Sequence, residues 1–460
     1  MFGRLAKDNR RKGTTTVSNK KIPVVAVAER DEAARLAALP AEATIALGDV
    51  AGAIREGLMA FCCSAGLLAV SQIMQEELTA KVGPKGRHDP NRVATRNGTA
   101  PGSVTLGGRR VPIERPRATM NAGGELALDS YAVFSSTDLL TQIAMERMLA
   151  GVATRRHALV SEPIGTELEA VATADSKSAV SRRFVSASAT KLAELMGRDL
   201  SGLDVAALMI DGIVFAECCC VVALVITADG TKVPVGCWEG DTENARVVKD
   251  LLADLVARGL SYEQGILVVI DGSKALSAGV KSVFGRHAVV QRCVLHKRRN
   301  VADYLDPITA KTIDSQLAKA FCDPDPVRGK RVAEGIARQL DAKHPSAAAS
   351  LREGLDEMFA VRRLGVSDRL ARTMSCTNAI ESMISVVQDL SRRVKRWRDP
   401  RMVTRWVGVG MLEAERSFRR VKGCKDMPVL VIAVRREVAQ RLNGDTPPTV
   451  TSTAYAESAA

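Results

Sequence analysis

The chain has 460 residues, enough for about three folded units at roughly 150 residues each, which excludes a single small domain. Apolar residues make up 46% and charged residues 25%, an ordinary globular composition that excludes wholesale disorder and supports a large core. Lys and Arg number 65 against 52 Asp and Glu, a net charge of +13, which points toward polyanions where the charge is concentrated.

Concentration is what the order of residues shows. Between Met1 and Ile22 seven basic residues face only Asp8, a net +6. Between Ser391 and Lys425 twelve face Asp399, Glu413 and Glu415, a net +9, and the remainder of the chain carries −2. A localised excess of this kind suits a nucleic-acid path; a solvated tail and a solvated helix face are the plainer alternative. Aromatic residues are 3%, too few for a membrane-surface helix, which wants aromatic or Leu-rich apolar faces. The longest uncharged stretch, Gly57 to Gln75, is broken by Ser64, Ser71, Gln72 and Gln75. It reads as a buried helix rather than as a bilayer span of ~20 residues, and no membrane partner is expected. No apolar signal core follows the basic first residues, so secretion is not expected. Ten cysteines, several adjacent (Cys62 and Cys63; Cys218, Cys219 and Cys220), lack a secreted disulfide framework and predict free thiols in a cytoplasmic protein.

In chain order, the first ~45 residues read as a basic arm without a periodic face. Ile54 to Lys81 has helical spacing through Leu58, Phe61, Cys62, Leu68, Ile73, Met74 and Leu78. After a polar stretch to Asn97, Ser103–Leu106 and Arg110–Glu114 flank Gly107-Gly108, the pattern of a two-residue hairpin that ends at Pro116. Leu139 to Val160 is helical again. Asp175 or Ser176 then caps a helix with Val180, Phe184 and Ala187 facing inward. Its outward-facing Ser178, Ser181 and Arg182 have the composition of a helix-turn-helix recognition helix, although any capped amphipathic helix with two arginines looks similar.

The texture changes at Leu203. Val205–Phe215, Cys218–Thr227 and Lys232–Trp238 read as three strands, the last two joined at Ala228-Asp229-Gly230. Asp241-Thr242-Glu243-Asn244 caps a helix running to Gly259. Ile266–Ile270 is a strand, Ser273–Phe284 a helix and Ala288–Cys293 a further strand. This order describes an α/β domain with a mixed sheet. Lys297 to about Arg372 is helical and polar and resembles an insertion, after which Thr377–Ser391 returns to an apolar helix and the basic segment follows. The Thr-, Pro-, Ser- and Ala-rich tail after Asn443 is expected to be disordered.

Two aspartates share one context, Ile210-Asp211-Gly212 and Ile270-Asp271-Gly272, each ending or interrupting an apolar strand. Two carboxylates placed together at a core rim repel unless a cation intervenes, which makes them candidate Mg²⁺ ligands. The alternative is that Asp-Gly opens a turn after each strand. A haloacid-type phosphatase would need a second Asp two residues on, where Ile213 and Ser273 stand. A two-metal phosphoryl-transfer site needs a third carboxylate, and Glu381, behind a Thr377-Asn378 cap and before the basic segment, can supply it.

Together these residues resemble the Mutator-type transposases of bacterial insertion sequences. The resemblance rests on Ile210-Asp211-Gly212, Cys237-Trp238-Glu239-Gly240-Asp241-Thr242-Glu243-Asn244, Val269-Ile270-Asp271-Gly272-Ser273-Lys274-Ala275-Leu276, Gln291-Arg292-Cys293-Val294-Leu295-His296-Lys297-Arg298-Arg299-Asn300 and Thr377-Asn378-Ala379-Ile380-Glu381. It continues through Arg392-Arg393-Val394-Lys395-Arg396-Trp397, Arg405-Trp406 and Glu413-Ala414-Glu415, and more weakly back through Ser178-Ala179-Val180-Ser181-Arg182 and Arg96-Asn97-Gly98 to about residue 50. It implies an RNase H-like core with an Asp, Asp, Glu triad, by position Asp211, Asp271 and Glu381, interrupted by a helical insertion before the Glu. It also implies binding to terminal inverted repeats, cleavage to expose a 3′-hydroxyl, and attack of that hydroxyl on another phosphodiester.

The expected architecture is therefore a multidomain α/β chain. It has a basic arm (1–45), a mainly helical DNA-binding region (46–200), an RNase H-like mixed-sheet core in two parts (201–300 and 373–425), an all-helical insertion (301–372), and a C-terminal helix with its tail (426–460). The expected DNA contacts are Lys177, Ser178, Ser181, Arg182, Arg183, Lys297, Arg298, Arg299, Arg392, Arg393, Arg396, Arg398, Arg401 and Arg405. Two Mg²⁺ ions, replaceable by Mn²⁺, are expected at the triad, with DNA and further copies of the chain as partners and no small-molecule substrate. Cys293 and His296 are half a zinc site with no nearby pair to complete it, and a role in supporting the site is preferred. Trp238 is either core or a DNA-stacking residue, whereas Trp397 and Trp406 are read as packing under the basic helix. A catalytically silent DNA-binding relative and an RNase H-like nuclease or resolvase without strand transfer remain the alternatives.

Overall fold

The computed structural model describes residues 57–87, 92–215, 218–240 and 244–444. The expected basic arm, Ile54, the Asp241-Thr242-Glu243 portion of the expected cap and the tail beyond Gly444 lie outside the described residues. In chain order helix α1 (Leu58–Val82) precedes a hairpin of β1 (Ala94–Leu106) and β2 (Arg109–Met120), then α2 (Asp129–Ser135), α3 (Asp138–Leu149), α4 (Thr166–Val171) and α5 (Lys177–Met196).

The described residues divide into two units, one holding the chain up to Gly98 together with Pro116–Leu126 and Glu162–Val171, the other holding the rest. In the first, Arg96 donates to Thr79 Oγ1 at 2.8 Å and to the Gly83 carbonyl at 3.1 Å, tying the strand to the end of α1. α1 departs from the expectation of a buried helix. Its stripe of Cys63, Val70, Met74 and Leu78 is buried, yet Leu58, Leu68 and Ile73 are exposed. Apolar residues lie on more than one face, and only 22% of its most apolar window is buried. By length and composition it is the one helix among the described residues that could cross a bilayer. The hairpin is longer than expected. Gly107 and Gly108 make the two-residue turn with φ of 55° and 73°, the left-handed pair that a type I′ turn requires. Pro116 does not end the hairpin, because a two-stranded ribbon has open edges that tolerate its missing N–H.

The second unit is built on a five-stranded sheet: β3 (Val205–Phe215), β4 (Cys218–Thr227), β5 (Lys232–Gly240), β6 (Ile266–Ile270) and β7 (Ala288–Arg292), in the order β5-β4-β3-β6-β7. The first three pair antiparallel, and β6 and β7 run parallel to β3. Alternate residues serve opposite layers. Leu208, Ile210, Val268 and Ile270 pack under α6 (Ala245–Ala257) and α7 (Lys274–Phe284), whose Val248, Leu251, Leu252, Leu255, Leu276 and Val280 complete that core. Met209, Val222, Leu224, Leu267 and Val269 face the other way. Both sheet faces are covered, which is why these strands read as continuous apolar runs.

After β7 come α8 (Val294–Ala302), α9 (Pro307–Phe321), α10 (Pro326–Asp341), α11 (Pro345–Arg352), α12 (Ala360–Arg363), α13 (Asp368–Met374), α14 (Asn378–Ser391), α15 (Pro400–Arg416) and α16 (Met427–Leu442). α9, α10, α11 and α15 begin with Pro at the first helical position, where its missing N–H costs nothing, and Asp306 and Asp325 cap α9 and α10. From Val301 to Phe359 the helices share a core of their own, with Leu317, Phe321, Ile336 and Leu351 inside. Ala360, Val361, Leu364, Leu370 and Ala371 instead join the sheet core, alongside Ile380 and Met383 of α14, Val407 and Met411 of α15, and Leu430 and Val434 of α16.

The α6–α7 layer depends on one small residue. A Cβ on Gly279 of α7 would clash with Val248 Cγ1 of α6. Gly279→Ala should therefore destabilise the second unit by about 1–3 kcal/mol, read as a lower urea midpoint; an unchanged midpoint would mean that the two helices separate freely.

Candidate active site

The sheet geometry decides where the two aspartates go. Met209 of β3 lies opposite Val269 of β6 in parallel register, so two residues further along each strand Asp211 comes level with Asp271. Side chains alternate along a strand, hence both point to the face of Met209 and Val269, the face that α14 covers with Ile380 and Met383. Asp211-Gly212 does not open a turn: both residues remain paired with β4, opposite Val222 and Val221. Asp271 does end its strand, at Gly272 with φ 103°, and its Oδ1 accepts from Ser273 N at 2.8 Å. Ser273 in turn caps α7.

Burial, followed by repulsion from Asp271 and Glu381, pushes the Asp211 carboxyl up to about 7, against the opposing hydrogen bond from Gly212 N and the attraction of His296. Asp211 thus lies within electrostatic reach of Asp271, Glu381 and His296. Glu381 lies in the first turn of α14. Its Oε1 accepts from Thr377 Oγ1 at 2.6 Å and lies 3.7 Å from His296 Nδ1. Hydrogen bonding to Cys293 raises His296 to about 9, despite its partial burial. Burial tends to raise the Cys293 thiol, yet the bonds from His296 and Thr377 outweigh it and the net shift is downward. Cys293 is anchored through its N–H to the Ile270 carbonyl at 2.7 Å, one residue before Asp271. Burial lifts the neighbouring Cys376 to about 11.

Two residues that sequence reasoning overlooked hold this end of the sheet to the helical segment. The amide of fully buried Gln291 donates to the Met358 carbonyl and accepts from Val361 N, both at 2.9 Å. Arg292, at the end of β7, pairs with Glu357 and donates to the Gly272 carbonyl at 3.3 Å, directly behind Asp271. Glu353 lies 3.9 Å from the same guanidinium. The sequence offered as a signal only their place at the start of the matched Gln291–Asn300 motif, without a role. Thr377 occupies the expected helix-cap position, but its side chain caps nothing.

The expected DNA contacts are placed unevenly. Lys177, Ser178 and Arg182 are exposed on α5, Ser181 is half-buried, and Ser176 makes the expected cap. Half-buried Arg183 donates to the Ala174 carbonyl, steadying a residue with φ 80°. Lys297 is buried and donates to the Ser350 carbonyl at 2.6 Å, so its ammonium is enclosed among the helices rather than offered to a backbone phosphate. Arg298 is engaged with both oxygens of Asp314 at 2.7 and 2.6 Å, while Arg299 is exposed. Arg392, Arg393, Arg396, Arg398 and Arg401 are exposed and Arg405 is half-buried. Trp397 packs on Phe215 and Trp406 on Phe184, each with ring centroids 4.8 Å apart, the expected packing role. Trp238 is half-buried against the core beneath α6. Glu415 grips Arg198 through two bonds of 2.8 and 2.9 Å, joining α15 to the end of α5.

The second unit thus has a mixed sheet with Asp211 within β3 and Asp271 just after β6, and an exposed arginine-rich segment after α14. The chain belongs to the Mutator family of transposases, whose family model matches residues 61–420. It is 28% identical over 166 residues to the transposase for insertion sequence element ISRM3 of Rhizobium meliloti, covering 36% of this chain and 40% of that protein. It is 27% identical over 177 residues to the transposase for insertion sequence element IST2 of Acidithiobacillus ferrooxidans, covering 38% and 58%. The transposase for insertion sequence element IS406 of Burkholderia multivorans is 25% identical over 181 residues, covering 39% and 44%. The chain thus spans 40%, 58% and 44% of these relatives' lengths, less than two thirds of each.

The raised Asp211 carboxyl sets a pH dependence. Between the ordinary aspartate value and about 7 the folded chain keeps a proton that the unfolded chain has lost, so stability falls as pH rises through that window, by at most ~1.4 kcal/mol per unit. In chelator, Asp211→Asn should match the parent in urea midpoint near pH 4 and exceed it at pH 8. A difference that does not change with pH would contradict a carboxyl raised by burial and by its acidic neighbours.

Proposed function

We propose that this protein is a DDE transposase, a metal-dependent enzyme that binds the terminal inverted repeats of an insertion sequence, cuts there, and joins the exposed 3′-hydroxyl to target DNA. The observation that carries this reading is the level placement of Asp211 and Asp271 on adjoining parallel strands, on the face of the helix that bears Glu381. An RNase H-like core is supported by the strand order, three antiparallel strands followed by two parallel ones, with helices on both faces.

The residues suit hard divalent cations. Asp211, Asp271 and Glu381 offer carboxylate oxygens alone, the donor type Mg²⁺ and Mn²⁺ prefer, and the burial and carboxylate repulsion that lift Asp211 to about 7 both disfavour its charged form, which added positive charge would favour. When bound, two such ions supply Lewis acidity toward the attacking and leaving oxygens of phosphoryl transfer. The chain's own contribution is to hold and orient. The β3–β6 register sets the spacing of two carboxylates, α14 brings the third, and Arg292 steadies the loop behind Asp271. The exposed arginines from Arg392 to Arg401 follow α14 directly, so one helix joins the acidic site to a basic surface that neutralises backbone phosphates. In this reading α5 presents Lys177, Ser178 and Arg182 to the transposon end, the region from 46 to 200 binds DNA, and further copies of the chain assemble on the DNA in the cytoplasm.

Asp271→Asn keeps size and removes charge, so it should abolish cleavage and joining of end-containing DNA while leaving end binding nearly intact. Mg²⁺ or Mn²⁺ should support both steps, whereas Ca²⁺, with more ligands at longer distances, should permit assembly with little chemistry. Robust cleavage by the variant, or by the parent in excess chelator, would place the chemistry elsewhere; cleavage without joining would make the protein a nuclease. Replacing Arg392, Arg393 and Arg396 with Ala together should flatten the log-log salt dependence of duplex binding by about 0.9 for each phosphate that is no longer neutralised. An unchanged slope would reduce the segment to a solvated face.

A further inference from the structure

A Thr at the N-terminus of a helix ordinarily accepts a hydrogen bond from a first-turn N–H. Thr377 stands there and its side chain makes no such bond. It is fully buried, and its hydroxyl is turned into a cluster of three other polar groups. Oγ1 lies 2.6 Å from Glu381 Oε1, 3.3 Å from His296 Nδ1 and 3.3 Å from Cys293 Sγ. A hydroxyl has one proton to give and two lone pairs. The short contact to a carboxylate takes the proton, since charge-assisted bonds are the stronger ones, and a lone pair is left to accept from the His296 ring. Cys293 Sγ receives the Thr377 backbone N–H at 3.4 Å. The cluster therefore has a direction, running from His296 through Thr377 to Glu381, with Cys293 holding Thr377 in place from below.

A soft metal offers a second account of the same group, because the ligand atoms of Cys293, His296 and Glu381 lie within 4.8 Å of one another. The Thr377 hydroxyl is within hydrogen-bonding distance of all three. Hydrogen bonds through that hydroxyl account for the contacts of Glu381 and His296, and the Thr377 N–H for that of Cys293.

We propose that Thr377 is a positioning residue for Glu381: its hydroxyl, backed by His296 and Cys293, holds Oε1 and so leaves Oε2 as the oxygen that meets a cation in a set orientation. This rests on the reading of Glu381 as the third acidic residue of the site. Glutamate has several rotatable bonds and, at the rim of a helix, many poses. Fixing one oxygen selects among them, and loss of such an outer partner commonly weakens metal binding 10- to 100-fold.

The test uses the full chain. Thr377→Val retains the shape and removes the hydroxyl, and the helix loses no cap by it. Thr377→Ala, which adds no atom, is measured beside it so that a packing defect in the valine variant does not decide the result, and Thr377→Ser keeps the hydroxyl. Three quantities are read: Mn²⁺ affinity of the DNA-free protein by titration calorimetry, the Mn²⁺ concentration giving half-maximal cleavage of end-containing DNA, and the melting temperature in chelator. Val and Ala variants should bind Mn²⁺ about tenfold more weakly and need about tenfold more of it for cleavage, with Ser within about threefold of the parent and melting temperatures alike. Parent-like Mn²⁺ affinity and cleavage in the Val and Ala variants would overturn the proposal, and so would a Ser variant as impaired as Val, which would assign Thr377 to packing. A parent that cleaves no end-containing DNA with Mn²⁺ would instead overturn the DDE reading on which the proposal rests.

Discussion

The parallel pairing of β3 with β6 is the constraint on which the rest of the structure depends. Once Met209 lies opposite Val269, the two-residue repeat of the strand leaves no choice about Asp211 and Asp271: they are level, adjacent and on one face. A slip of one residue would turn one carboxylate toward Leu251 and Leu276 in the opposite, apolar core. The continuous apolar runs on either side hold that register, with both faces of both strands buried.

The close approach of like charges has a cost that the surroundings are arranged to contain. Burial first, and then that repulsion, raise the Asp211 carboxyl, and Gly212 N and His296 partly offset the rise. The other groups are fastened from behind. Ser273 N holds Asp271, Thr377 holds Glu381, and the Ile270 carbonyl holds Cys293 through its N–H. The acidic side chains therefore sit on rigid elements, while the repulsion that remains is what a bound cation would remove.

The helical segment after β7 is connected to this end of the sheet rather than merely inserted beside it. Gln291 bonds to Met358 and Val361, and Arg292 bridges Glu357 to the Gly272 carbonyl. Gly354, with φ 68°, is a place where a Cβ would strike the Arg292 guanidinium at 2.5 Å. Movement of these helices would be felt first at the loop that follows Asp271.

The strands of the sheet are legible in the sequence because each is a bounded apolar run, and β3, β4 and β6 have the bounds that the pattern alone suggests. The Asp-Gly pairs can be singled out by their shared context, whereas Glu381 is one of many helical glutamates by pattern and is picked out only by the family resemblance. Other readings fail for identifiable reasons. Alternation of apolar residues does not reveal what covers them, so α1 reads as buried although several of its apolar side chains face outward. A basic residue reads the same whether free or enclosed, so Lys297 reads as a DNA contact although it is bound to Ser350. Thr before Asn-Ala-Ile-Glu looks like a cap, and only the approach of Cys293 and His296, more than eighty residues earlier in the chain, turns its hydroxyl to Glu381 instead. The sequence by itself determined the elements and the chemical types, since propensity and periodicity act over neighbouring residues. The tertiary structure decided the register, the burial of single charges and the partners of each polar atom, because these depend on contacts between segments that the order of residues does not bring together.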